Sequence, residues 1–221
     1  MSFLINPYVF APGGGATAFP SLINTAKTSA SAITPGVRDW DINLPADILE
    51  NDILLVFGGT RDTTVQDWSF PSGWAKLLGA NHIAVFWKRA TGAEGSTVTA
   101  SVEEGARRFA MAKSVRAVST GSDPEGGIGA LDSFDPPSLS PSWGSDKTKW
   151  VAGVGGINHS SVPTAPTDYT DLDSHSTSGS GDDAFVAVAF RNLEAASEDP
   201  GAFSDPGMSN DRAFTLALRG A

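Results

Sequence analysis

Apolar positions along this chain come in short runs, many with a two-residue period, separated by clusters of glycine, proline and small polar residues. Such alternation sets successive side chains on opposite faces of an extended strand. Residues 38–44 carry Trp40 and Ile42 on one face. Residues 96–102 set Val98, Ala100 and Val102 against Thr97, Thr99 and Ser101. Residues 183–191 align Val186, Val188 and Phe190, and 213–219 align Phe214, Leu216 and Leu218. Residues 24–33 alternate more weakly. The runs within 52–59, 82–88 and 149–157 are apolar almost throughout, which suits buried strands and is too short for a core helix. Many short strands with turns at this spacing predict an all-β protein, a β-sandwich or a jelly-roll-like fold.

Residues 103–118 read two ways. They fit an amphipathic helix with Phe109, Ala112 and Arg116 in register, or a strand with Phe109, Met111, Val115 and Ala117 inward. An internal comparison favours the strand. NDILLVFGGTRDTT (51–64) resembles KTKWVAGVGGINHSS (147–161). FPSGWAKL (70–77) pairs with TAPTDYTDL (164–172), each with a proline, a short turn and an aromatic, Trp74 or Tyr169. IAVFWKRATGAEGSTVT (83–99) pairs with FVAVAFRNLEAASEDPGAF (185–203), and RRFAMAKSVRA (107–117) with DRAFTLALRGA (211–221). The pieces keep their order at a separation of roughly 95–105 residues, which predicts a pseudo-duplication or a shared strand order. On this reading the sandwich spans 20–221, with halves at about 20–119 and 146–221. The Pro-, Ser- and Gly-rich stretch 120–145 is a long crossover loop between them.

Residues 1–19 stand apart. FLINPYVF is apolar and aromatic, and a tether from Pro12 to Gly15 follows it. Such a peptide is suited to docking in a groove on another subunit, or to pairing as an edge strand of its own domain. The docking candidates are Leu4, Ile5, Asn6, Pro7, Tyr8 and Phe10. This start lacks a basic n-region, so it is not read as a signal peptide.

Composition narrows the function classes. With no cysteine, there is no disulfide framework, thiol nucleophile or cysteine-ligated metal. A formal net charge of −10 disfavours phosphate backbones and anionic lipid as partners. No apolar stretch approaches the roughly 20 residues of a spanning helix.

A search for chemistry gives little. His82, His159 and His175 lie in no nucleophile-elbow, Walker or zinc-protease context. The acidic pairs Glu103/Glu104, Asp132/Asp135 and Asp182/Asp183 fall in or beside turns, where carboxylates serve solubility and turn geometry. Asp168, Asp171 and Asp173 form the densest run of oxygen ligands, a weak candidate for calcium against the plainer reading of a solvated strand face. Of six tryptophans, Trp74, Trp87 and Trp150 accompany strong strands and are read as core. Trp68 and Trp143 fall in loops, where an indole either stacks on a sugar or folds back as a lid on the core. Arg107, Arg108, Lys113 and Arg116 make a basic cluster, suited to intramolecular compensation, to a neighbour's acidic loops or to an anionic glycan.

The opening MSFLINPYVFAPGGG resembles the N-terminal element of tailed-bacteriophage structural proteins, in which an INPY-x-F motif and a Gly-rich tether precede varied β-sandwiches. Asp52–Val56 (DILLV), Pro71-Ser72-Gly73-Trp74, and Ala84-Val85-Phe86 through Gly95-Ser96-Thr97-Val98-Thr99 resemble the strand-and-turn pattern of phage sandwich proteins. The chain departs from the laminin-G type of such proteins in lacking its aspartate-rich segment after the tether. The resemblance implies a homo-oligomeric virion component, taken as a trimer, made in the host cytoplasm and docked to other virion proteins through residues 4–10. It carries over no catalytic residue and no cofactor. The expected role is a non-enzymatic tail- or fibre-associated protein contributing to host attachment, with a host surface glycan as a candidate ligand and Trp68 and Trp143 as contacts. The alternatives are a capsid decoration or head-spike protein and a glycan-cleaving enzyme.

Overall fold

The computed structural model describes residues 18–30, 38–61, 68–102, 107–177 and 183–221. The alternating runs form antiparallel strands: β1 (Ser21–Ala30), β2 (Asp39–Asn43), β3 (Ile53–Thr60), β4 (Ala75–Ala80), β5 (Ile83–Arg89), β6 (Thr97–Ser101), β7 (Arg108–Arg116), β8 (Glu125–Leu131), β9 (Lys147–Ile157), β10 (Thr170–Ser176), β11 (Ala184–Glu194) and β12 (Ser209–Arg219). No helix occurs among the described residues, and the ambiguous segment 103–118 is strand over its β7 portion.

Two five-stranded sheets pack face to face as a β-sandwich. The first runs β1-β7-β3-β5-β4 and the second β8-β12-β9-β11-β10. Their inner faces meet through Ile53, Leu55, Phe57, Phe109 and Met111 from one side and Val186, Val188, Phe190, Phe214 and Leu216 from the other. Each sheet draws on one half of the chain, whereas successive strands of a jelly roll pass between sheets.

The central strands are buried on both faces because each sheet is also covered outside. Over the first lies the β2–β6 ribbon, whose Ile42, Val98 and Ala100 pack on Leu54, Val56, Phe86 and Ala112. Over the second lie loops carrying Phe134, Leu139, Tyr169 and Phe203, packed on Trp150, Ala187 and Ala217. This second cover imitates the ribbon: Leu139 and Glu198 exchange backbone hydrogen bonds of 2.9 and 3.0 Å.

The order of strands is the same in the two sheets, position by position. Other features also recur. A turn ends on an aromatic in each half, with Trp74 N–H bonded to the Pro71 carbonyl and Tyr169 N–H to that of Pro166. Glycine opposes phenylalanine in each sheet, Gly59 against Phe109 and Gly153 against Phe214. The stretch 120–145, expected to be a crossover loop, instead contains β8, which pairs with β12. Its EGGIGAL sequence is too glycine-rich to show an apolar alternation, which is why the strand is not legible locally.

Candidate functional site

At one open side of the sandwich, charge enters an otherwise apolar interface. Lys113 shares the inward face of β7 with Phe109 and Met111, and its side chain is only 1% exposed. A desolvated ammonium needs anionic and hydrogen-bonding partners. Lys113 Nζ finds Thr25 Oγ1 on β1 at 2.9 Å and Asp173 Oδ2 on β10, across the interface, at 2.6 Å. Lys27 from edge strand β1 takes the other carboxylate oxygen at 2.6 Å and the Ser174 carbonyl at 2.7 Å. His175 Nε2 lies 3.1 Å from the Thr28 carbonyl, and its ring meets Phe109 edge-on. Lys113 and Lys149 both lie over the Phe190 ring, at 5.4 and 6.0 Å from its centroid.

Burial lowers the Lys113 ammonium, against the pull of Asp173. Burial alone would raise the Asp173 carboxyl, but hydrogen bonds from Lys113 and Lys27 hold it below the ordinary carboxylate range. Burial lowers Lys149, with Asp171 as the opposing charge, and lowers His175. The cluster therefore acts as an ionic clamp between edge strands β1 and β10 of opposite sheets. Asp173 gives one oxygen to each lysine, so its charge is paired within the clamp.

Other buried charges fasten elements in the same manner. Arg116 Nε and Nη2 grip Asp52 at 2.9 Å each, tying the end of β7 to the start of β3. Arg219, at the end of β12, holds Asp146, just before β9. Lys88 meets Glu94 at 3.0 Å, and Arg191 meets Glu198 at 2.7 Å. His159 Nδ1 lies 2.5 Å from Asp183 Oδ2, and the ring stacks on Phe185. Burial raises the Asp183 carboxyl despite the imidazole. This acid–imidazole pair pins the end of β9 to the start of β11, where Asn158 N–H also bonds the Asp183 carbonyl.

The structure separates the residues marked in the sequence. Trp68 is 4% exposed, edge-on to Trp40 and stacked on Phe86, and lies as a lid on the core. Trp143 is half-buried, donating to Thr148 Oγ1 at 3.0 Å. Trp150 is buried as expected, while Trp74 and Trp87 pack against the cores half-buried. Asp168, Asp171 and Asp173 do not act as one site: Asp168 pairs with Arg191, Asp173 serves the clamp, and Asp171 is exposed. Among the described residues, no three histidine or acidic side chains converge as a metal cage. The basic cluster is also divided, since Lys113 points between the sheets and Arg108 points outward over Trp40. Leu4, Ile5, Asn6, Pro7, Tyr8 and Phe10, with Glu103, Glu104 and Asp182, lie outside the described residues.

The clamp was missed in the sequence, although one signal was present. Lys113 occupies an inward position in the alternation of Phe109, Met111 and Val115, where only a paired lysine is tolerated. Its partner, 60 residues away, carries no local mark. An open depression of about 360 Å³ lies elsewhere, lined by Leu44, Asp47, Ile48 and Glu94 among others, and neither Trp68 nor Trp143 borders it.

In comparisons with known proteins, no family model matches the chain, and neither curated proteins nor solved structures give a significant match.

Proposed function

We propose that this chain is a non-enzymatic structural protein of a tailed-phage virion, tail- or fibre-associated and contributing to host attachment. The supporting observation is how its buried charges are used. Asp52, Lys113, Asp183 and Glu198 each bind a partner on another segment of the fold, so their chemistry goes into rigidity. A scaffold covered on both faces of both sheets suits display and assembly. The described residues begin at Ala18, whose N–H bonds the Ala221 carbonyl at 3.3 Å, and the apolar segment 4–10 precedes them in sequence. That segment is the proposed grip on other virion proteins, in a homo-oligomer.

The matched strand orders and the recurrent ion pairs also support a tandem origin, with units of about 18–118 and 119–221 fused in one chain. In this reading β8 opens the second unit as β1 opens the first.

Deleting residues 1–12 tests the docking role. The truncated protein is expected to keep the melting temperature of the full chain and to be lost from assembled particles. Normal incorporation would refute the role. Imaging of labelled protein on particles locates it: tail label supports the proposal, and label over the capsid shell replaces it with a decoration role. A glycan array without saturable binding removes the attachment function.

A further inference from the structure

Several buried acids of this chain have a cationic partner, including Asp52, Asp183 and Glu198. Asp211 departs from that pattern. It is 2% exposed, and its Oδ2 is sealed from solvent without a hydrogen-bond partner among the described residues. It lies at the start of β12, where the strand slips register against β9 between Ser209 and Arg212, and against β8 between Arg212 and Phe214. The β9 backbone presses on it there, for a Cβ on Gly156 would come 2.9 Å from Asp211 Cα and 3.0 Å from Asp211 Cβ. The oxygen has given up water without gaining a donor, which is costly for an ionised group and far less so for a neutral one.

The charged groups around it add to that cost. Asp132, just past β8, donates its backbone N–H to the Asp211 carbonyl at 3.0 Å. Asp205, in the loop before β12, accepts the Gly207 N–H at 2.6 Å. Both are exposed residues, and both charges act on Asp211. Arg212, the chain neighbour, is turned away to the Gly129 carbonyl at 2.8 Å. At the end of β9, Asn158 gives its Nδ2 to Ser209 Oγ at 3.4 Å, and the His159 imidazole is engaged with Asp183. Burial raises the Asp211 carboxyl, its own backbone N–H draws it down, and the Asp132 and Asp205 charges push it up again, for a net rise. As the neutral acid the group needs no counter-ion; ionised, it sets an uncompensated charge in the register break.

We propose that Asp211 is a proton-operated latch: protonated, it lets the start of β12 close against β8 and β9, and ionised, it loosens that end of the second sheet. The pairings at stake are Arg212 with Leu131 of β8 and with Gly155 of β9, and Ser209 with Ile157. The folded protein holds this proton more tightly than the unfolded chain. The latch therefore contributes fully below the ordinary aspartate value of ~3.9 and loses its contribution as pH rises through the higher folded-state value. Asp173 works in the opposite sense, because its lysines hold its carboxyl below the ordinary range. In sequence, Asn210-Asp211-Arg212 reads as a polar strand start, and no motif marks the latch.

The test combines carbon NMR of the side-chain carboxyls, amide exchange and thermal unfolding of the full chain between about pH 7.5 and 3. The Asp211 carboxyl is expected to titrate with a midpoint above the ordinary ~3.9. Exchange of the Asp132 amide, which bonds the Asp211 carbonyl, should quicken above that midpoint beyond its intrinsic pH dependence. Both are read on the wild-type protein and decide the question whether or not a variant folds. Asp211→Asn keeps the shape of the neutral acid. It is expected to melt ~2–4 °C above wild type at about pH 7.5, with the gap closing on acidification. Asp205→Asn, at an exposed position, should lower the Asp211 midpoint, and Asp171→Asn, exposed and remote in sequence, should leave it unchanged. A wild-type midpoint at or below the ordinary aspartate value overturns the proposal. So does an Asp211→Asn protein that melts below wild type at about pH 7.5, or a gap that stays constant across the range.

Discussion

The Gly153–Phe214 pair allows a quantitative test of how the two sheets close. Gly153 sits in the middle of β9 directly opposite Phe214 of β12, and both face the other sheet. A Cβ built on Gly153 would lie 2.0 Å from Phe214 Cζ, 2.3 Å from Cε2 and 2.6 Å from Cε1. Carbon atoms pack at about 3.5–4.0 Å, so the ring has to retreat by about 1.5 Å. It stacks on Phe57 of the opposite sheet at 5.9 Å between centroids, and paired strands cannot simply part. Gly153→Ala is therefore expected to cost ~3 kcal/mol, at the upper end of overpacking effects. In a chain of this size that lowers the melting temperature by about 6–12 °C. Phe214→Ala is expected to cost ~3–5 kcal/mol through the cavity it leaves. In that background the methyl added by Gly153→Ala enters vacated space, and its further cost should fall below ~1 kcal/mol, a coupling of ~2–3 kcal/mol. Urea unfolding of the four proteins measures this cycle. Gly95→Ala, with nothing nearer than 3.9 Å to its Cβ, is the control and should stay within ~0.5 kcal/mol. Equal costs of Gly153→Ala in both backgrounds would refute the steric argument.

Two further predictions concern the buried charges. Asp173→Asn removes the negative charge that neutralises Lys113 between the sheets and should cost ~3–5 kcal/mol, most of it recovered by adding Lys113→Met; an Asp173→Asn protein as stable as wild type would show that the clamp is not what closes that side. Burial alone would raise the Glu94 carboxyl, but hydrogen bonds from the Thr91 and Gly92 N–H groups and the pairing with Lys88 outweigh it and lower the group from 4.5 to about 2. Because the folded protein holds this proton less tightly than the unfolded chain, its contribution is complete above pH 4.5 and declines as pH falls toward 2. The stability gap between wild type and Glu94→Gln, followed by denaturant unfolding from pH 6 to 2.5, should narrow over that window, and a constant gap would contradict the assignment.

The class of fold and most of the strands follow from the order of amino acids alone. A two-residue alternation needs only one apolar face to be read, so Val186, Val188 and Phe190, or Phe214, Leu216 and Leu218, announce both strand and inward face. The alternation also resolved residues 107–117 as a strand once their likeness to 211–221 was seen. Whatever depends on partners distant in the chain came from the folded molecule. β8 has no apolar pattern of its own and exists as a strand because β12 offers an edge to pair with. Trp68 reads as a loop residue, yet the close approach allowed by Gly58 turns it into a core lid. Lys113 and Asp173 lie 60 residues apart, and only the packing of the sheets makes neighbours of them. Local periodicity records which face of a strand is dry. Which charge meets which is fixed by the relative placement of strands, and that is a property of the closed sandwich alone.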